Sequence, residues 1–242
     1  MRKRAILQFW KMCVWGLAVI VMAIGGLGRH STASAAEKAE AQSIVDKSKG
    51  TLTDLMSDEH FSWLHTYLRT ARGVVIFPQV LKAGFFLGGS GGTGVLLVRN
   101  EATGTWSDPA FYTLGSVTFG LQIGGEAAEV VMVAVNQKAL DSLLSSSVKL
   151  GGDVSVAIGP IGGGAKGALT VPAVTADFIS FTKTKGLYGG LNFEGAVMAV
   201  RDSLNSSFYG KTVTPKDILV RKTVNAPGAN ELRSALEKAS AR

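Results

Sequence analysis

Apolar and polar positions follow two periods along this chain, and the change falls near Gly73. Before it, Phe61, Leu64 and Leu68 recur at helical spacing, with Trp63 and Tyr67 as a second stripe. That spacing predicts a helix with one apolar face. Residues 37–49 are rich in Ala, Glu, Lys and Gln around Ile44 and Val45, which predicts a lead-in helix interrupted at Gly50. Ser57 is placed to cap the following helix, with Asp58 and Glu59 in its first turn, where the helix dipole favours acids.

From Gly73 the pattern is that of strands. Val74–Phe77 and Val95–Val98 are short apolar runs on either side of a glycine-dense link. Val117, Phe119, Leu121 and Ile123 alternate with Thr118, Gly120 and Gln122, as in a half-buried strand. Val130–Val135 is apolar throughout, as for a strand covered on both faces. Val148–Leu150, Val154–Ile158, Ala168–Val171, Val174–Phe181 and Leu187–Phe193 are further candidates, separated or bent by glycines. Asn136 is expected to cap a short helix with Leu140, Leu143 and Leu144 inward. Helical turns are also expected near Arg201–Ser206, at Lys216–Val220 after Pro215, and over Asn230–Ala239. Few successive strands are separated by a long helix, so a doubly wound parallel sheet is not expected. The expected class is α+β: a strongly curved, mostly antiparallel, glycine-rich sheet, open or barrel-like, with N-terminal and short peripheral helices.

Composition sharpens this in two ways. At 242 residues and 46% hydrophobic the chain has ample core material. Its net charge of +7 is mostly a property of one end. The first 35 residues hold five of the 25 basic residues and none of the 18 acids, so without them the balance falls to +2. No concentrated basic stripe remains to neutralise phosphates, and nucleic acid is not an expected partner. Residues 1–35 read as a leader: Arg2–Arg4, then the apolar Met12–Leu27, then Ala33-Ser34-Ala35. This is the order of a signal peptide cleaved near Ala35, and retention as a membrane anchor is the other reading of the same stretch. The single cysteine, Cys13, lies inside it without a lipobox before it, so a mature exported chain would rely on its core rather than on disulfides.

Three catalytic letter patterns lack their context. Gly89-Ser90-Gly91-Gly92-Thr93-Gly94 fits a dinucleotide loop, but a strand follows where a helix N-terminus must receive the pyrophosphate. Gly88–Gly92 fits a serine elbow around Ser90, but that motif needs a strand-to-helix turn and a later His, whereas His60 and His65 both precede it. Lys166, after Gly162–Gly164, lacks the Gly and Ser/Thr of a P-loop, though backbone amides there could cradle a phosphate. Glu126, Glu129, Asp153, Asp177 and Glu194 are scattered, and His60 and His65 fall on different helix faces without a third ligand. No catalytic residue, metal or cofactor is expected.

What remains is amphipathic. Lys82 lies beside Phe85 and Phe86; Lys183 and Lys185 precede Tyr188; Lys211 follows Tyr209. Basic residues interleaved with aromatics and glycine turns suit a lipid headgroup and its adjoining acyl region. Five ordered blocks carry a resemblance: Ala71–Arg99; Trp106 with Asp108–Gly124; Lys149–Gly162; Lys183–Met198; and Asn205–Leu219. Together they resemble the SYLF domain, a lipid-binding family also described as an actin-binding module in yeast endocytic proteins. The resemblance implies a non-enzymatic domain over residues 57–220, after a lead-in segment at 36–56 and before a helical tail at 221–242. It also implies acidic phospholipid as the ligand class and, for bacterial members, export. The expectation is a lipid- or membrane-surface-binding domain of the bacterial envelope, periplasmic or envelope-associated. The alternative is an envelope structural or protein-interaction module without a specific lipid.

Overall fold

The computed structural model describes residues 34–84, 87–119, 124–162, 175–184, 187–188 and 193–241. Residues 1–33 of the leader, Ala168–Val171, Phe85, Phe86 and Lys185 lie outside them. Helix α1 spans residues 34–57 without a break at Gly50, where a side chain would meet open space. A 3-10 turn, Glu59–Phe61, leads into α2, Ser62–Thr70. The cap is Asp58, whose carboxylate accepts from the His60 amide. Ser57 closes α1 instead, its hydroxyl donating to the Asp54 carbonyl at 3.0 Å.

The strands are β1 (Gly73–Gly84), β2 (Leu87–Val98), β3 (Ala110–Phe119), β4 (Gly124–Ala134), β5 (Ser147–Lys149), β6 (Val156–Ile158), β7 (Phe178–Thr184), β8 (Leu187–Tyr188) and β9 (Val197–Val200). Helix α3 (Gln137–Leu143) follows β4, and Asn136 caps it by accepting from the Ala139 amide at 2.8 Å. After β9 come α4 (Asp202–Tyr209), a π-helical turn at Lys216–Val220, a 3-10 turn at Pro227–Ala229, and α5 (Asn230–Ala241). The strand order is β5-β9-β3-β2-β1-β4-β7-β6, with β8 also on β7, and every pairing is antiparallel except β6 with β7.

Connectivity forces the curl. In a flat sheet β5 and β6, at opposite ends of this order, would stand roughly 34 Å apart, seven strand spacings. Yet the chain passes from Lys149 to Val156 directly, a link whose full reach is about 24 Å. In the structure it is tighter still, because Leu150 bridges Val154 across the Gly151–Asp153 turn. The sheet is therefore an open half-barrel whose two edges are drawn together by one turn.

Both faces are buried over the half of the sheet that begins at Gly73. Val75, Phe77, Leu96, Tyr112, Leu114, Val130, Met132 and Met198 converge with Leu143, Leu150 and Phe193 inside the curl. Val74, Ile76, Val95, Leu97, Phe111, Val131 and Val133 point outward against α1, α2, α4 and α5. That double burial explains the uninterrupted apolar runs of β1 and β4. The outer core takes Ile44, Leu52 and Leu55 from α1, Phe61, Leu64 and Leu68 from the 3-10 turn and α2, and Leu232 and Leu236 from α5. Strand β9 occupies a stretch whose pattern predicted only a helix further on.

Candidate functional site

The remaining half of the sheet differs because of one proline. Pro78 lacks an amide hydrogen and cannot continue the ladder, so β1 bulges. Its register with β4 shifts between Phe77 and Val80, and with β2 between Ile76 and Leu81. The bulge presses on β2, where a methyl group at Gly92 would overlap the Gln79 carbonyl and one at Gly94 the Ile76 carbonyl and the Phe77 ring. The glycines of Gly88–Gly94 are thus strand residues, of which Gly92 and Gly94 face the bulge, not a turn-forming link between strands.

Beyond the bulge the outer face loses its helical cover. Arg201 marks the margin, donating to the Thr93 hydroxyl at 3.0 Å and lying 3.5 Å from Glu40 of α1. Past it, Leu81, Gly91 and Gly115 face one another across three strands, with Gly89 and Val117 paired in the next row. Leu81 is 56% exposed and Val117 67%. The result is a thin, glycine-floored sheet carrying large apolar side chains in solvent.

The predicted contact residues divide between this end and the other. Lys82 is here, half-buried in β1 and paired in register with Ser90 and Glu126. Lys183 lies nearby on β7, opposite Glu129, but its ammonium is 3.4 Å from the Asp58 carboxylate and ties β7 to the entry of α2. The Asp58 carboxyl is held below its usual range chiefly by the His60 side chain. Tyr188 pairs with Lys183 in register. Tyr209 and Lys211 are elsewhere, at the end of α4 beside the start of β3. The Tyr209 hydroxyl donates to the Pro109 carbonyl at 2.7 Å, and burial pushes its phenol pKa up. Lys211 is exposed, with its ammonium 3.4 Å from the Thr223 carbonyl. From Ala110 to Ser116, the row of Lys82, is roughly 20 Å along β3.

Ser90 sits inside a strand, its hydroxyl 2.7 Å from that of Ser116, and not on a turn into a helix. His60 Nδ1 is 2.9 Å from Asp58 and His65 Nε2 is 3.3 Å from the Met56 carbonyl. Among the described residues no three metal-ligating side chains gather. Lys166 lies outside the described residues.

One of the acids that looked scattered in sequence holds a buried hydrogen-bond cluster together. Asp177 is buried at the start of β7. It accepts from Lys138 Nζ at 2.8 Å, the Ser155 amide at 2.8 Å, the Ser155 hydroxyl at 3.0 Å and Asn136 Nδ2 at 3.0 Å. Burial alone would raise its pKa, but these donors together draw it down to about 2. It ties the β4–α3 corner, the entry to β6 and the start of β7 to one carboxylate, which is an architectural role. Asp108 is its counterpart near α5: burial pushes its carboxyl up, and Arg233 lies 3.4 Å away. Sequence separations of 22 to 41 residues hid the first cluster, and 125 residues separate the second pair.

A cleft of about 600 Å³ opens on the outer face, between α1 and the bulge, lined by Lys47, Thr51, Gln79, Glu129 and Lys183. Among the described residues no helix is long and apolar enough to cross a membrane.

Comparison with known proteins identifies the family of this architecture. A family profile described as "Ysc84: Las17-binding protein actin regulator" matches residues 115–239, just over half of the chain. An SH3 domain-containing protein of Schizosaccharomyces pombe is 36% identical over 172 residues, 70% of this chain and 39% of that protein. Protein YSC84 of Saccharomyces cerevisiae is 35% identical over 173 residues, 70% of this chain and 36% of that protein. The human SH3 domain-containing YSC84-like protein 1 is 30% identical over 168 residues, 69% of this chain and 48% of that protein. The chain thus spans less than half the length of each of these relatives. The ordered blocks of the sequence, the curled α+β sheet and the profile match lead to the same assignment: the chain belongs to the SYLF (Ysc84) domain family.

Proposed function

We propose that this protein is a non-catalytic domain that binds a phospholipid membrane surface of the bacterial envelope through the glycine-rich end of its sheet. The observation that carries this reading is the bare outer face past the Pro78 bulge, where Leu81 and Val117 stand in solvent over a glycine floor. A thin sheet with apolar side chains on its outer face and Lys82 on the inner face of the same end suits the boundary between headgroups and acyl chains. Lys183 and Tyr209 are engaged by Asp58 and Pro109. In this reading the leader directs export and is removed near Ala35. An intact mass for envelope-purified protein that begins near Ala36 agrees with it; a retained leader assigns residues 1–35 to an anchor instead.

The test is co-sedimentation with anionic vesicles at low salt. Wild-type protein pellets with the vesicles, and Leu81→Asp with Val117→Asp reduces the bound fraction at least fivefold. Lys82→Ala weakens binding by about 1 kcal/mol and flattens its salt dependence, since a surface lysine near an anionic bilayer contributes about that much. Wild-type protein that stays in the supernatant overturns the proposal.

A second reading is supported by the relatives, one of whose family descriptions names a Las17-binding protein. In it the same face, or the sheet edges at β5 and β6, meets an envelope protein by packing or strand addition. Envelope cross-linking that recovers one protein partner, with vesicle binding absent, selects it.

A further inference from the structure

The inner face of the glycine-rich end differs in chemistry from the outer face. Along the curl this face is apolar as far as Val80, Leu114 and Ala128. One step further the residues facing the same way are Ser116, Ser90, Lys82 and Glu126. They are direct register partners on four adjacent strands, β3, β2, β1 and β4, so they form one continuous polar row across the sheet. The row is ordered by chemistry. The Ser90 and Ser116 hydroxyls lie 2.7 Å apart at one end, the Lys82 ammonium is in the middle, and the Glu126 carboxylate is at the other end. Among the described residues no carboxylate lies within ion-pair distance of Lys82, although Glu126 is its register partner. Concavity turns the row inward, and Gly92 places no side chain between it and the core. Ser90, which the G-x-S-x-G letters single out without a base to activate it, lies in this row beside the Ser116 hydroxyl.

We propose that this row binds a phosphodiester bearing a primary ammonium, that is, a phosphoethanolamine headgroup. Two hydroxyl donors and the Lys82 ammonium meet the phosphate, and Glu126 accepts from the ammonium of the same ligand. The lateral step from β1 to β4 is about 4.8 Å, a span that the two-carbon link of phosphoethanolamine bridges. One cation and one anion leave the row neutral, which suits a zwitterion and disfavours a dianionic phosphate. A trimethylated ammonium cannot donate to Glu126, so phosphocholine is discriminated against. This inference rests on the proposed membrane-surface function and names the headgroup for it.

The test is titration of the full chain with soluble glycerophosphoethanolamine, glycerophosphocholine and inorganic phosphate, alongside vesicle co-sedimentation. Glycerophosphoethanolamine binds at least tenfold tighter than either of the others. Lys82→Ala, and Ser90→Ala with Ser116→Ala, each weaken it at least tenfold. Glu126→Gln, an exposed position where folding is not at issue, removes the preference over glycerophosphocholine while retaining phosphate contact. Equal binding of the two diesters by wild-type protein, tightest binding of inorganic phosphate, or a preference that survives Glu126→Gln overturns the proposal. If vesicles pellet the protein while no soluble headgroup binds, the row is wrong and the membrane reading stands. If neither binds, both fall.

Discussion

Asp177 shows how much a single carboxylate can hold in this fold. Its four donors come from Asn136, Lys138 and Ser155, and they outweigh its burial to bring the pKa to about 2. Because the folded-state value lies below the ordinary carboxylate value, the stabilisation is complete above about pH 4 and is lost as pH falls from there toward 2. The loss is on the order of 2 kcal/mol. Asp217, also drawn down to about 2 by the Thr214 hydroxyl and amide and by Arg221, titrates in the same window at the surface. Denaturant melts at pH 6, 4, 3 and 2 check the assignment. Asp177→Asn destabilises the protein at pH 6 by about 2–4 kcal/mol, since the Lys138 and Ser155 donors lose their anion. The variant also shows a shallower decline below pH 4 than wild type. Identical acid limbs in the two proteins would mean that Asp177 is not the titrating group. Glycine at position 94 is equally specific: Gly94→Ala drives a methyl group into the Ile76 carbonyl and the Phe77 ring, with a cost of about 2–4 kcal/mol in thermal or denaturant melts.

At the scale of elements, α1 and α5 belong to the same outer core as the sheet. Leu232 and Leu236 of α5 are fully buried, and the buried Trp106 indole donates to Ser240 at 3.2 Å. Leu236→Ala should therefore cost about 2–4 kcal/mol, a core truncation rather than a tail effect, with Trp106 fluorescence as the direct reporter of the unfolding. A change below 0.5 kcal/mol would show that α5 docks without stabilising. These helices were legible in sequence because their apolar spacing is local: Phe61, Leu64 and Leu68 are all buried as the 3.6-residue period requires. The covered strands were legible for the same reason, since Val130–Ala134 lies between two cores. The glycines were not. Nothing local distinguishes a glycine at a corner from one that faces a bulge on the neighbouring strand, and Gly92 and Gly94 are explained only by Pro78 on β1. Strand β9 was missed because four residues, Val197–Val200, carry too short an alternation before α4 begins. Of the expected contact residues, Lys82 is half-buried on β1, while the Asp58 partner of Lys183 is 125 residues away and invisible to any window.

At the scale of the molecule, the half-barrel has one end held on both faces and one end held on neither outer nor distal side. Helices cover β1–β4 as far as Thr93, and the exposed Leu81 and Val117 lie beyond. Few buried contacts and solvent-facing backbone hydrogen bonds mean a low free energy of local opening, so amides of Gly88–Gly91 exchange hydrogen faster than those of Val95–Leu97 on the same strand. The contrast within β2 excludes a global explanation, because both segments share a strand and a partner, β3. It also makes the docking surface measurable. A bilayer that covers the bare end replaces the missing helical layer, and protection then rises at Leu81, Gly88–Gly91 and Gly115–Val117 while α3 and the Lys216–Val220 turn remain unchanged. Hydrogen exchange with and without phosphatidylethanolamine-containing vesicles reads both regions in one experiment. Protection confined to α3 inside the curl, or to α1 and α5 on the outer face, would move the contact surface away from the glycine-rich end and leave that end as architecture alone.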